Sequence, residues 1–396
     1  MKVYILIDRY PYYSETFIYN QFIELLRQGI NARMIYLNHS GNKVDHGVVK
    51  AIDKSGKIME LLHGFRLDLV LNIFRFPVQS FYLFKYYSFK KSLFYILNLK
   101  TFVDINNSDV LHTHFGRVGE VAAKLYKANI FSKVKLVNSF HGVDITPCRL
   151  NLYQEEYINL FKYSSLLFVN SPYSLNLLKS INFSVFSKTV ILPVGVDQNL
   201  FFKFHDSKIS SEFSIVYIGR LIRLKGSIIA LKIAKKLTLS IPNFKIHIIG
   251  DGDELSMLLK FVEKESLKNY VVFHGALSQE KIKSILCESS IFVAPGITDP
   301  ETGRAETQGL VIQEAQSMGL PVIVSDAGGM KYGLIDGESG FVVPEGDIDQ
   351  FCDKVLFFYQ NPSEIISFGE KGRSYVKKNF LNSTLTERLI ANYKSL

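Results

Sequence analysis

Short apolar runs alternate with longer amphipathic ones along the whole chain, and this alternation predicts the architecture. Lys2–Ile7 reads as a strand, Glu15–Arg27 as a helix stopped by Gly29, and Asn31–Leu37 as a second strand. Further strands are predicted at Asp109–Phe115, Lys135–Phe140, Leu166–Asn170 and Thr189–Leu192, each beside a helical segment. The second half repeats the rhythm with strands at Ser214–Ile218, Lys245–Ile249, Tyr270–Phe273, Ile291–Ala294 and Pro321–Ser325. Helices at Ser227–Leu239, Gln279–Glu288 and Gln308–Met318 lie between them. Runs rich in Val and Ile that alternate with helices indicate parallel sheets buried on both faces, so the fold class is α/β and doubly wound, with two sheets.

A turn-forming break at Pro193–Val194–Gly195–Val196–Asp197, followed by polar sequence around His205–Ser211, divides the chain. The expected domains are residues 1–195 and 196–379. The segment from about 380 to 396 is helical by pattern and a candidate to pack back on the first domain. A cleft between two doubly wound domains is a natural ligand site, because loops at the carboxyl ends of both sheets face it.

Composition narrows the class. At 396 residues the chain exceeds one ordinary core, and 47% hydrophobic with 21% charged residues excludes disorder and low-complexity arrays. Cys148, Cys287 and Cys352 are too few and too scattered for a disulfide framework or a zinc site, which points to a reducing compartment. The first apolar run is interrupted by Asp8 and Arg9, so it reads as a buried strand rather than a signal peptide. No charge-free stretch reaches transmembrane length. A cytoplasmic location is the expectation.

The net charge of +9 is unevenly placed: residues 1–195 hold 23 Lys and Arg against 13 Asp and Glu, whereas the rest is near neutral. Residues 57–100 concentrate it, with seven basic residues, two acids and eleven Phe or Tyr. Basic residues interleaved with aromatics suit an anionic membrane surface, and equally an amphipathic layer that buries its rings in the core. Single-stranded nucleic acid would use the same residue types, but the remaining signals point to a small-molecule cleft, and no nucleic-acid partner is expected.

The strongest chemical constellation runs from Asp299 to Glu314, between the strand Ile291–Ala294 and a helix ending near Gly319. Glu306 is expected at the mouth of that helix and Glu314 two turns inside, about 12 Å further on. Backbone amides of Gln308, Gly309 and Leu310 at the helix start offer donors to phosphate or hydroxyl oxygens. Gly219–Arg220–Leu221–Ile222–Arg223–Leu224–Lys225–Gly226 follows another strand and opens a helix. Arg220 and Lys225 at that sheet edge are complementary to a diphosphate. Asp251–Gly252–Asp253 matches an acidic metal-binding pattern, but Asp253 stands where a helix N-cap belongs, and no metal is expected. The same residues lack the third glycine of a nicotinamide fingerprint. His112 and His114 flank one strand position without nearby carboxylates, which favours structural roles.

Taken together, the GRLxxxKG segment at 219–226, the pair Glu306 and Glu314 with seven residues between them, and GLPVIVSDAGG at 319–329 resemble the retaining nucleotide-sugar glycosyltransferases of family four. Those enzymes have the GT-B architecture, two Rossmann-like domains facing a central cleft. Ser14–Glu15–Thr16–Phe17–Ile18, His112–Thr113–His114–Phe115–Gly116 and His141–Gly142–Val143–Asp144 resemble the branch that assembles bacterial surface polysaccharide, such as colanic acid and amylovoran. One departure is the loop after the first strand, Tyr10–Pro11–Tyr12–Tyr13–Ser14, which is glycine-rich in many relatives.

The resemblance implies roles. Arg220, Lys225 and the backbone at Gly309 and Leu310 would hold the donor diphosphate. Glu306 and Gln308 would hold the donor sugar, and Glu314 the ribose. His141 would contact the sugar from the first domain, acting with Glu306 at the reacting centre. Gly250, Gly252 and His274 would flank the base. No cofactor is implied. The implied activity is transfer of a sugar from a nucleotide diphosphate to a lipid-linked glycan on polyprenyl diphosphate. The enzyme would sit peripherally on the inner face of the cytoplasmic membrane, with residues 57–100 on the anionic surface. A nucleotide-sugar epimerase or hydrolase on the same fold, or a non-catalytic basic binding module, are the alternatives.

Overall fold

The computed structural model describes residues 1–10, 16–39, 57–63, 67–201 and 212–396. Two parallel sheets carry the chain. The first has strands β1 (Lys2–Tyr10), β2 (Asn31–His39), β3 (Ile58–Glu60), β4 (Val110–His114), β5 (Lys135–Ser139), β6 (Leu166–Val169) and β7 (Thr189–Ile191), in the order β3-β2-β1-β4-β5-β6-β7. The second has β8 (Phe213–Ile218), β9 (Phe244–Ile249), β10 (Val271–Gly275), β11 (Ile291–Ala294), β12 (Val322–Ser325) and β13 (Gly340–Val343), ordered β10-β9-β8-β11-β12-β13. Both reverse direction beside their first strand, at β1/β4 and at β8/β11. Such switch points open a crevice at the carboxyl ends of the strands.

The central strands are apolar on both faces because helices cover both faces. Ile215 and Tyr217 face one buried cluster and Val216 another; Val3 and Ile5 divide from Tyr4 and Leu6 in the same way. Two short strands, β3 and β13, escaped the sequence pattern. Each is three or four residues long at a sheet edge, too short to show periodicity. The helix expected over Gln308–Met318 spans Leu310–Ser317, with Gly309 as its N-cap residue.

The final helix, Asn382–Lys394, returns to the first sheet. Leu385, Leu389, Ile390 and Tyr393 are buried with Val3, Ile5, Ile18 and Phe22, and Gln28 Nε2 donates to the Ser383 carbonyl at 2.9 Å. The chain therefore passes between the two halves twice, side by side: Val196 N donates to Phe380 O at 2.8 Å, and Asn382 N to Val196 O at 3.1 Å. The polar stretch 205–211 lies outside the described residues.

Within 57–100, residues 64–66 lie outside the described residues, and the rest forms the short strand β3 and helices Leu67–Arg75, Pro77–Tyr86 and Phe89–Leu97. One face packs in the core: Leu83, Tyr95, Ile96 and Leu97 are buried. Buried Asn72 staples it by donating to the Ile96 and Leu97 carbonyls, and Asn98 pairs with both backbone groups of Leu62. The other face leaves Leu71, Phe74, Val78, Phe81 and Phe89 more than half exposed. Among the described residues no helix is long and apolar enough to cross a membrane.

Candidate active site

Each sheet brings one switch-point loop to a common cleft. From the second sheet, the loop after β8 holds Arg220, exposed, and Lys225. Its shape is fixed at Gly226, where φ is +71° and an added Cβ would lie 1.8 Å from the Pro295 carbonyl oxygen. Only glycine permits that approach. Leu224 O accepts from Ile297 N at 2.9 Å, so the loop after β8 is tied to the loop after β11. The result is an ion pair between Lys225 Nζ and Glu306 Oε2.

Glu306 precedes its helix by four residues. Helical rise therefore does not set its distance from Glu314, which corrects the 12 Å expected from sequence. Nor are the amides beside it all free, because those of Thr307 and Gln308 face the Glu306 carboxylate. Burial alone would raise this carboxyl, but the Lys225 ammonium and the two amides outweigh it and hold it below its ordinary range. Gln308 has a second use: its side-chain amide accepts from Val194 N at 2.7 Å and donates to Val194 O at 2.8 Å, binding the cleft to the crossover. Glu314 is buried inside the helix, where no charged or polar group among the described residues offsets its desolvation, and its carboxyl is pushed up to about 7.

From the first sheet, the loop after β5 supplies His141. Asp144 shapes this loop, its carboxylate accepting from His141 N at 2.9 Å and from Gly116 N at 2.8 Å. Burial pushes the Asp144 carboxyl up to about 6 despite those amides. Phe17 and Phe115 pack on the His141 ring at 4.8 Å each. Phe115 holds φ +71°, ψ +139°, a conformation costing a non-glycine residue roughly 1–3 kcal/mol. Behind His141 lie His114 and His112, with successive ring centroids 5.2 and 4.6 Å apart. Burial lowers both His112 and His141 to about 3, so the rings are neutral at physiological pH.

The two halves meet around this point. His141, Thr146 and Tyr173 from the first half, with Arg220, Lys225, Glu306 and Thr307 from the second, line a cleft of about 80 Å³. Asn170 Nδ2 donates to Thr307 Oγ1 at 3.0 Å across it. Chemically, a lysine and an arginine beside helix-start amides can stabilise an anionic leaving group, while a neutral imidazole faces them.

Gly250 and Gly252 lie in the loop after β9, packed directly beneath Gly219–Leu221; Leu221 N donates to Asp251 O at 2.9 Å. His274 at the end of β10 stands apart from this cleft lining, its Nε2 2.9 Å from His247 Nδ1. Asp253 does not cap the following helix, correcting the sequence expectation. That helix begins at Leu255 with Glu254 as N-cap, and Glu254 instead accepts from Ser227 Oγ at 2.6 Å. Among the described residues no group of three or more His, Cys, Asp or Glu is arranged to hold a metal ion. The motif residues Ser14 and Glu15 and the loop after Tyr10 lie outside the described residues.

Residues 201–375 match the model of the family "Glycosyl transferases group 1". The chain is a glycosyltransferase whose second half is similar to that family. It is similar over its full length to the putative colanic acid biosynthesis glycosyltransferase WcaL of Escherichia coli, 24% identical with both chains fully covered. The amylovoran biosynthesis glycosyltransferase AmsK of Erwinia amylovora is 26% identical, over 99% of this chain and 98% of its own. Among solved structures, Anabaena HepE in complex with UDP superposes with a TM-score of 0.76 at 18% identity, each chain fully covered. The glycosyltransferase thus has the GT-B architecture of two Rossmann-like domains.

Sequence reasoning missed several residues that line or shape the cleft of this glycosyltransferase. Thr307 and Asn170 carry no chemical signature, and their contact joins segments 137 positions apart. His114 reads from sequence as structural, and its bond to His141 requires strands β4 and β5 side by side. Asp144 lay in view within the His141–Asp144 motif, where an Asp three residues after a loop residue signals a capped turn.

Proposed function

We propose that this glycosyltransferase moves a sugar, with retention at the anomeric carbon, from a nucleotide diphosphate to a glycan on polyprenyl diphosphate in exopolysaccharide biosynthesis. The observation that carries the donor reading is the Lys225–Glu306 ion pair at the cleft, with Arg220 beside it and His141 across it. A nucleoside diphosphate develops negative charge as it leaves. Placed cations and helix-start amides stabilise that charge more in the transition state than in the ground state. A diphosphate also competes with Glu306 for Lys225, releasing the carboxylate to accept sugar hydroxyls. Glu314, buried about one turn into the helix, receives the ribose hydroxyls. Gly250 and Gly252 flank the base with His274 nearby, and Gly309 and Leu310 offer backbone to the phosphates. The domain after residue 195 is the donor side and the one before it the acceptor side.

UDP in HepE, and the exopolysaccharide pathways named for WcaL and AmsK, support the nucleotide donor and the polysaccharide product. The exposed apolar face of residues 71–89, flanked by Arg75, Lys85 and Lys90, supports peripheral attachment to an anionic cytoplasmic membrane face. The reaction calls on no metal or cofactor. NMR of the product tests the reading: an unchanged anomeric configuration is expected, whereas inversion refutes retention. Free sugar released without acceptor indicates a hydrolase instead.

A further inference from the structure

We propose that the large cavity in the first domain, between the helices Leu67–Arg75 and Phe89–Leu97 and the flank of Gly116–Lys127, is a seat for a prenyl diphosphate. It rests on the lipid-linked acceptor reading and locates the carrier lipid away from the donor cleft.

The cavity encloses about 830 Å³, within the range of small-molecule sites of roughly 300–1,000 Å³. Its walls are apolar, with Leu69, Phe94, Leu97 and Val121 among them, while Lys90, Lys91, Lys124 and Lys127 also line it. Lys124 is matched to Glu120 at 3.6 Å. Lys90, Lys91 and Lys127 form no ion pair with any described residue, and all three are exposed. Three unmatched ammonium groups beside apolar walls complement a ligand with an anionic diphosphate and a hydrocarbon tail. Tyr87 also lines the cavity, and burial pushes its hydroxyl up, so it remains a donor to an anion. Exposed Phe84 and Phe89 stack at 5.8 Å, and Tyr86, itself a wall residue, carries Lys85 and Lys127 over its ring. The outer apolar face is thus continuous with the cavity, a path from a bilayer to the lysines. A free sugar phosphate has no use for the apolar walls, and a neutral lipid none for the lysines.

Isothermal titration of the full chain with farnesyl diphosphate tests this, with inorganic pyrophosphate and farnesol as half-ligands. Farnesyl diphosphate is expected to bind roughly tenfold or more tightly than either. Lys91→Glu with Lys127→Glu, and separately Val121→Trp, which fills the cavity, should each weaken it at least about tenfold at an unchanged melting temperature. If Val121→Trp melts early, the lysine variant decides alone. Equal affinity for pyrophosphate, or unchanged binding in the lysine variant, overturns the seat. So does full displacement by phosphatidylglycerol vesicles, which would make the lysines a headgroup surface. A lipid-linked acceptor that turns over while farnesyl diphosphate ignores these variants refutes the seat and spares the function. Variant-sensitive binding with no lipid-linked turnover does the reverse.

Discussion

His114 Nδ1 lies 3.0 Å from His141 Nε2, so the ring facing the cleft is held by a second histidine rather than by a carboxylate. The array continues through the stacked His112, whose Nε2 is 2.8 Å from Ser139 Oγ and whose Nδ1 is 2.5 Å from the Tyr393 hydroxyl. Tyr393 belongs to the last helix, so that helix fixes the innermost ring of the array. With every ring neutral, the array positions His141 without placing a cation opposite Arg220 and Lys225.

Tyr393→Phe leaves His112 Nδ1 buried and unpaired, which costs about 1–3 kcal/mol. A lower melting temperature and a lower kcat are expected, with the KM for the donor little changed, since the donor side is untouched. Steady-state kinetics beside calorimetry checks this. Wild-type stability and turnover together would show that the array does not position His141.

Gly142, at φ +96°, faces Thr307 across the cleft, and an added Cβ would lie 2.4 Å from Thr307 Cγ2. Gly142→Ala should therefore hold the two halves apart. Misplacing reacting groups by about 1 Å costs up to roughly 10²-fold in rate, so a large loss of kcat is expected. Nucleotide affinity, which the proposed function assigns to the second domain, should stay nearly constant. A loss confined to nucleotide affinity contradicts this.

Glu314 gives a pH signature. Its folded pKa of about 7 lies above the ordinary 4.5, so its stabilising contribution is complete below about 4.5 and is lost as pH rises through about 7. Glu314→Gln should thus gain on the wild type between pH 5 and 8, by on the order of 1–3 kcal/mol, read from paired melting curves. Ribose hydroxyls favour the charged form, so nucleotide binding to the wild type should tighten over the same range and flatten in the variant. A constant stability difference would mean that Glu314 is already ionised at pH 5.

Much of the fold was legible because parallel strands buried on both faces write themselves as unbroken runs, as at Ile291–Ala294. The edge strands β3 and β13 left no such run. Arg220, Lys225 and Glu306 were legible because each falls in the loop that leads from a strand's carboxyl end into the next helix. Their pairing was not, since Lys225 and Glu306 are 81 residues apart. The start of the helix at Leu310 was misjudged because Gln308 continues the helical pattern while its side chain is committed to Val194. Phe115 gave no warning either, since nothing in its identity announces a positive φ.

The most direct test is transfer of labelled sugar from a panel of UDP-, GDP- and ADP-sugars into the lipid fraction of a membrane extract, comparing the wild type with Lys225→Ala and Glu306→Ala. With one of these donors, label should enter the lipid fraction as nucleoside diphosphate is released. Each variant should remain folded and lose roughly 10²–10³-fold in rate. Near-normal transfer by both variants would contradict the site, and no transfer from any of the three donor classes would contradict the donor reading.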